Sequence, residues 1–139
     1  MLPKQGGPVS PVDVLLAGDD QSFLEHAFRA LQGDRRHAVV SCVEAEEASA
    51  ADIALLEPEL VVIDLAVPTH SAIRLMRRIA DMRFRPRVLF LIPAEAQLLR
   101  AAALLLGVDA IHTREQFLAG PSALLGDLTA KRALRVVRV

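Results

Sequence analysis

The sequence predicts an α/β domain, a parallel sheet covered by helices on both faces. Three observations carry this. Short apolar runs recur along the chain, at 14–17, 38–43, 60–63, 88–92 and 110–112. Helix-patterned stretches lie between most of them, and such alternation implies right-handed crossovers within one parallel sheet. One run, Leu60-Val61-Val62-Ile63, ends in the carboxylate of Asp64, as a strand buried on both faces would do on leaving the core.

The elements follow in order. Met1 to Pro11 reads as a tail, because Pro3, Gly6, Gly7, Pro8 and Pro11 oppose both helix and strand. Val12 to Ala17 is the first strand, closed by Gly18-Asp19-Asp20. Ser22 to Leu31 has helical spacing, with Phe23, Ala27, Ala30 and Leu31 on one face and Leu24 and Phe28 beside them. Asp19 or Asp20 is placed to cap that helix. Ala38 to Val43 is the second strand, and Glu44 to Leu56, rich in Ala and Glu, the second helix. The third strand is Leu60 to Asp64, followed by a helix from Ser71 or Ala72 to Met82. Its Ile73, Met76, Ile79 and Ala80 are expected on the sheet, and Arg74, Arg77 and Arg78 in water. Val88 to Ile92 is the fourth strand. Ala94 to Leu106 is the fourth helix, with Gly107 as its cap. Ala110 to His112 is the fifth strand. Beyond it, Glu115 to Leu118 begins a helix that Gly120-Pro121 interrupts, Ser122 to Leu134 continues helically, and Arg135 to Val139 alternates as an additional edge strand.

Composition narrows the function classes. A chain of 139 residues builds one domain with a real core. With 53% apolar residues the chain is globular rather than disordered. A formal net charge of −1 offers no general attraction to nucleic acid. Without Trp or Tyr, platforms for stacking bases are scarce. Cys42 is the single cysteine, which excludes an internal disulfide and a zinc site built from cysteines; a small hydrophobe in a strand is the expected role. The N-terminus has no signal-peptide pattern, and the apolar part of Leu98 to Leu106 is too short to span a bilayer and carries Arg100. A cytoplasmic setting without membrane contact is expected.

In open parallel sheets, chemistry gathers at the carboxyl ends of strands. Asp19, Asp20 and Asp64 all fall there. If the first and third strands are neighbours, Asp19 approaches Asp64 and an acidic pocket forms. Oxygen ligands of this kind suit Mg²⁺. A carboxylate can also attack phosphorus to give an acyl phosphate, with the metal offsetting charge repulsion. An acidic loop edge with no ion, or a helix cap at Asp64, is the plainer account of the same residues. The Rossmann glycine fingerprint and the P-loop are both absent.

Four stretches carry a resemblance to a known family. They are Val14-Leu15-Leu16-Ala17-Gly18-Asp19-Asp20, the run from Pro58 through Asp64 to Pro68, Val88-Leu89-Phe90-Leu91-Ile92-Pro93, and Gly107-Val108-Asp109-Ala110-Ile111-His112-Thr113-Arg114. In order and spacing the chain resembles the receiver domain of bacterial two-component response regulators, over about Val12 to Glu115. The resemblance implies a flavodoxin-like three-layer sandwich whose five-stranded parallel sheet has the order 2-1-3-4-5. A receiver-like domain is expected at 12–128, between the tail at 1–11 and an extension at 129–139. The resemblance makes Asp64 the phosphoacceptor, Asp19 one of an acidic pair, Ala66 the donor of a backbone carbonyl to a Mg²⁺ site, and Arg114 the occupant of a lysine position. Asp20, one place late, is an auxiliary metal ligand or points elsewhere.

The departures from the family pattern are specific. Gly18 stands where the first acid of the pair is expected, and Ile92 where a Thr or Ser hydroxyl bonds the phosphoryl group. Ile111 stands at the position of a switch aromatic. Arg114 keeps the lysine's charge but not its compact ammonium. The resemblance therefore implies a weakened Mg²⁺ site and a weakened phosphoswitch.

Three functions follow in order of preference. One is a signalling receiver that accepts phosphate from a histidine kinase at Asp64. The second is a pseudo-receiver that acts by binding a signalling protein or by homodimerising through its fourth helix, fifth strand and fifth helix. The run of Leu and Ala from Leu98 to Leu106 covers more than one helical face and favours this second reading. A small enzyme using His26, His37, His70 or His112 comes last, since no spacing builds a triad.

Overall fold

The computed structural model describes the backbone of residues 11–44, 53, 55–65, 70–83 and 85–138, and omits the side chains of 43, 44, 70–72, 98, 99 and 131–138. Five strands, β1 (Val12–Gly18), β2 (His37–Glu44), β3 (Leu60–Asp64), β4 (Arg87–Leu91) and β5 (Ala110–His112), form one sheet in the order β2-β1-β3-β4-β5. Every pairing is parallel. The expected class and strand order are therefore observed. The register sets Gly18 beside Asp64 and Asp64 beside Leu91, so the three central strands end at one rim.

Side chains alternate across the sheet and build two cores, as the period-two geometry of strands requires. On one face Leu15, Ala17, Val61, Ile63, Val88 and Phe90 meet Leu75, Met76 and Ile79 of helix α2 (His70–Ala80) and Ala103 of α3 (Gln97–Leu106). On the other, Val14, Leu16, Leu60, Val62, Leu89 and Leu91 meet Phe23, Leu24, Ala27 and Leu31 of α1 (Gln21–Leu31). Phe117 of α4 (Arg114–Ala119) and Leu125 and Leu128 of α5 (Pro121–Arg138) complete this second core. These are the three layers.

Most element boundaries agree with the expectation within a few residues, and two points differ. Leu75 rather than Ala80 packs with Met76 and Ile79, while Ala80 is exposed. Arg135 through Arg138 are helical, not an edge strand. The anchors Leu125 and Leu128 are three apart on one helix face, and the helical register simply continues from them. Gly120 does break the helix, as the sequence suggests, leaving α4 only 6 residues long. The second expected helix, Glu44 to Leu56, lies mostly outside the described residues; Glu44 itself ends β2, and Ile53, Leu55 and Leu56 are helical.

Candidate functional site

Asp64 closes β3 at the carboxyl rim and is 3% exposed. Its neighbour in β1 is Gly18, where an added Cβ would sit 3.0 Å from the Asp64 Cβ and 3.5 Å from Leu24 Cδ2. Glycine thus lets the two strand ends close up against the carboxylate.

Arg114 is the first residue of α4, and local chemistry fixes it there. Thr113 Oγ1 accepts from the Gln116 amide at 3.0 Å, and Gln116 Oε1 accepts from the Thr113 amide at 2.9 Å. This reciprocal cap satisfies two orphan amides and sets the helix start. From that start the guanidinium forks onto Asp64. Nε donates to Oδ1 at 2.8 Å and Nη2 donates to Oδ2 at 2.5 Å. The third nitrogen, Nη1, lies 3.2 Å from Asp20 Oδ2. The Arg114 Cζ stacks 4.5 Å from the centre of the Phe23 ring, a cation–π placement.

Asp20 does two things. Its Oδ1 accepts from the Phe23 amide at 3.2 Å as the cap of α1, and its Oδ2 meets Arg114. The Phe23 amide holds its carboxyl below the ordinary value; burial opposes this, and the charge of Arg114 adds to it. Burial pushes Asp64 up, against the hydrogen bonds and charge of Arg114, while the nearby negative charges of Asp20 and Asp19 push it up further. Its two oxygens are nonetheless acceptors in a bidentate fork, a geometry that belongs to the carboxylate form. Arg114 in turn is raised, chiefly by its hydrogen bond to Asp64.

Of the expected site residues, the structure joins Asp64, Arg114 and Asp20. Asp19 is exposed and makes no hydrogen bond or ion pair among the described residues. Ala66 lies outside the described residues. Sequence reasoning missed Phe23 as the guanidinium's platform, the dual role of Asp20, and the Thr113–Gln116 cap. Only the cap had a visible signature, Thr113 followed three residues later by Gln116. His37 and His112 do not converge, since His37 opens β2 at the amino rim and His112 ends β5 at the opposite one.

These donors do not fit a hydrated Mg²⁺. Such an ion takes one or two carboxylates in near-ideal octahedral geometry and keeps several waters. Both Asp64 oxygens are in the arginine fork, and both Asp20 oxygens are engaged. Among the described residues no group of three or more His, Cys, Asp or Glu side chains is placed to hold a metal.

Beside the ion pair is a small cleft of about 160 Å³, lined by Asp64, Leu65, Leu91, Ile92, Pro93, Arg114 and Glu115. Ile92 is buried there and presents no hydroxyl.

The chain superposes on solved receiver domains over most of its length. It resembles the response regulator domain of Thermotoga maritima CheB with 17% identity and a TM-score of 0.70, covering 86% of this chain and 95% of that one. The fold is the receiver fold. The isolated receiver domain of Salmonella enterica serovar Typhimurium RcsB, solved with the phosphomimetic BeF3-, matches with 20% identity and a TM-score of 0.69, covering 84% and 89%. The receiver domain of the response regulator NarL from Mycobacterium tuberculosis matches with 20% identity and a TM-score of 0.71, covering 87% and 98%. Identities at this level carry the receiver architecture and not the activity. No protein-family model and no curated protein matches the sequence.

Proposed function

We propose that this chain is a receiver-type signalling module that acts mainly by contact, with phosphoryl acceptance at Asp64 suppressed. The observation that carries the reading is the Arg114 fork on both oxygens of Asp64. A carboxylate oxygen attacks phosphorus with a lone pair, and here both oxygens already accept charged hydrogen bonds. Ile92 adds no hydroxyl to retain a phosphoryl group, so any such group makes few contacts that differ between two states. The reading assigns Mg²⁺ a weak site at best and no catalytic turnover to the chain.

The phosphorelay reading, with a histidine kinase as donor and Asp64 as acceptor, draws support from the cleft open beside Asp64. The two are separated by incubation with a small acyl phosphate and Mg²⁺, followed by intact mass measurement. Contact signalling predicts little addition to the wild type. Stoichiometric addition that Asp64→Asn abolishes would overturn it in favour of the phosphorelay.

For the contact itself, the reading selects the end of α3. Leu104 and Leu105 are 63% and 89% exposed on the helix expected to form a homodimer or partner face. A concentration-dependent increase in mass by light scattering, absent in Leu105→Glu, is the expected mark of a homodimer. No helix among the described residues is long and apolar enough to cross a membrane.

A further inference from the structure

We infer that Arg114 is a built-in counter-ion, which supplies from a side chain the positive charge that a receiver site would take from a divalent cation. This deepens the proposed reading and rests on its view of Asp64 as an engaged carboxylate. Three negative side chains, Asp64, Asp20 and Asp19, lie near one another at the rim, and the first two of them meet the guanidinium directly. Left alone, carboxylates so close repel one another and drive one of them to take up a proton. A bound cation is one remedy, and the arginine fork is the other.

The surroundings favour the arginine. Guanidinium is planar, and the Phe23 ring lies beneath it at 4.5 Å. A compact, strongly hydrated ion makes poor use of such a face, whereas arginine stacks on it. The Thr113–Gln116 cap fixes the residue from which the fork reaches. Gly18 offers no further carboxylate, and its Cβ position falls 3.0 Å from Asp64 Cβ, so space for another acid is tight. Each feature suits a resident cation on a side chain and works against an exchangeable one.

The test is metal binding to the full chain, read without reference to activity. Mn²⁺ binding is followed by electron paramagnetic resonance, and melting is compared in EDTA and in about 10 mM MgCl₂, since a ligand bound only to the folded state raises the midpoint. The wild type is expected to bind no Mn²⁺ at the rim and to show the same midpoint in both buffers. Arg114→Gln is expected to melt lower in EDTA, to recover part of the loss in MgCl₂, and to lose that recovery when Asp64→Asn is added. Arg114→Lys, which keeps the charge but cannot fork, serves if Arg114→Gln does not fold, and is expected to bind Mn²⁺ detectably.

Stoichiometric Mn²⁺ binding by the wild type that Asp64→Asn removes would overturn the inference. So would folded Arg114 variants that remain indifferent to both metals. The outcome is separable from the functional reading. Phosphoryl uptake at Asp64 without metal binding removes contact signalling and leaves the counter-ion standing, while metal binding without phosphoryl uptake does the reverse.

Discussion

The two rims of the sheet hold their acids differently. At the amino rim, Asp34 accepts from the Arg36 amide at 2.8 Å with one oxygen and pairs with His37 Nδ1 at 2.7 Å with the other. Asp109 accepts from the Val88 amide at 2.8 Å and from Arg87 at 3.0 Å. Each carboxylate thus ties backbone and side chain together. Asp64, at the carboxyl rim, has both oxygens on one side chain 50 residues away and no backbone amide among the described residues. An acid held by the backbone is a staple, and it keeps a partner when a side chain changes. An acid held by one arginine is conditional, and a single substitution strands it.

The largest expected effect follows from that contrast. Arg114→Ala leaves Asp64 buried without a partner and is expected to destabilise the fold by about 3 kcal/mol. Adding Asp64→Asn should return much of the loss, because the stranded charge is gone. Chemical denaturation of the two single variants and the double variant checks this. Equal losses in Arg114→Ala and the double variant would show that packing on Phe23, not charge, is at stake. NMR titration of Arg114→Gln should also find Asp64 protonating at higher pH than in the wild type, since the opposing influence of Arg114 is removed.

A middle effect is expected from restoring an acid at the end of β1. Gly18→Asp brings a Cβ against Asp64 Cβ and Leu24, and adds a negative charge beside a carboxylate already raised by burial. A loss of about 2 kcal/mol is expected from crowding and repulsion together. Unchanged stability would mean that the strand ends separate easily.

The smallest effect belongs to the amino rim. Burial pushes Asp34 up, but the hydrogen bonds from His37, the Arg36 amide and the Ser122 hydroxyl outweigh it and hold the carboxyl below its ordinary value. A depressed folded value contributes stability that is present above the unfolded value and lost as pH falls through the folded one. Asp34→Asn is therefore expected to cost about 1 kcal/mol at neutral pH and to flatten the loss of stability below about pH 4. Melts from pH 2 to 7 compare the two profiles. An unaltered acid limb would remove Asp34 from the account.

Much of the fold was legible because its elements are locally consistent. The unbroken run Leu60–Ile63 reads as a buried strand from composition alone, and β3 begins and ends where expected. Gly107 reads as a helix cap, and it adopts φ 84°. The site was legible only as a set of positions. Asp64, Asp20 and Arg114 could be placed on the rim, but a fork depends on where a long side chain turns, and no periodicity encodes that. Asp20 was expected to matter less because it is one residue late. Lateness made it the cap of α1, and its second oxygen remained for Arg114. At 135–139 a weak alternation suggested an edge strand, but so short a stretch cannot outweigh a helix already anchored at Leu125 and Leu128.

The interruption at Gly120 and Pro121 divides the mechanical load. Arg114 rides on α4, which Phe117 pins into the sheet, whereas the 18-residue α5 has its own anchors at Leu125 and Leu128. A pull or a twist applied to the far turns of α5 reaches those two leucines first and meets the helix break at Gly120 before the residue that grips Asp64. The rim is in this way insulated from whatever the long helix is asked to carry.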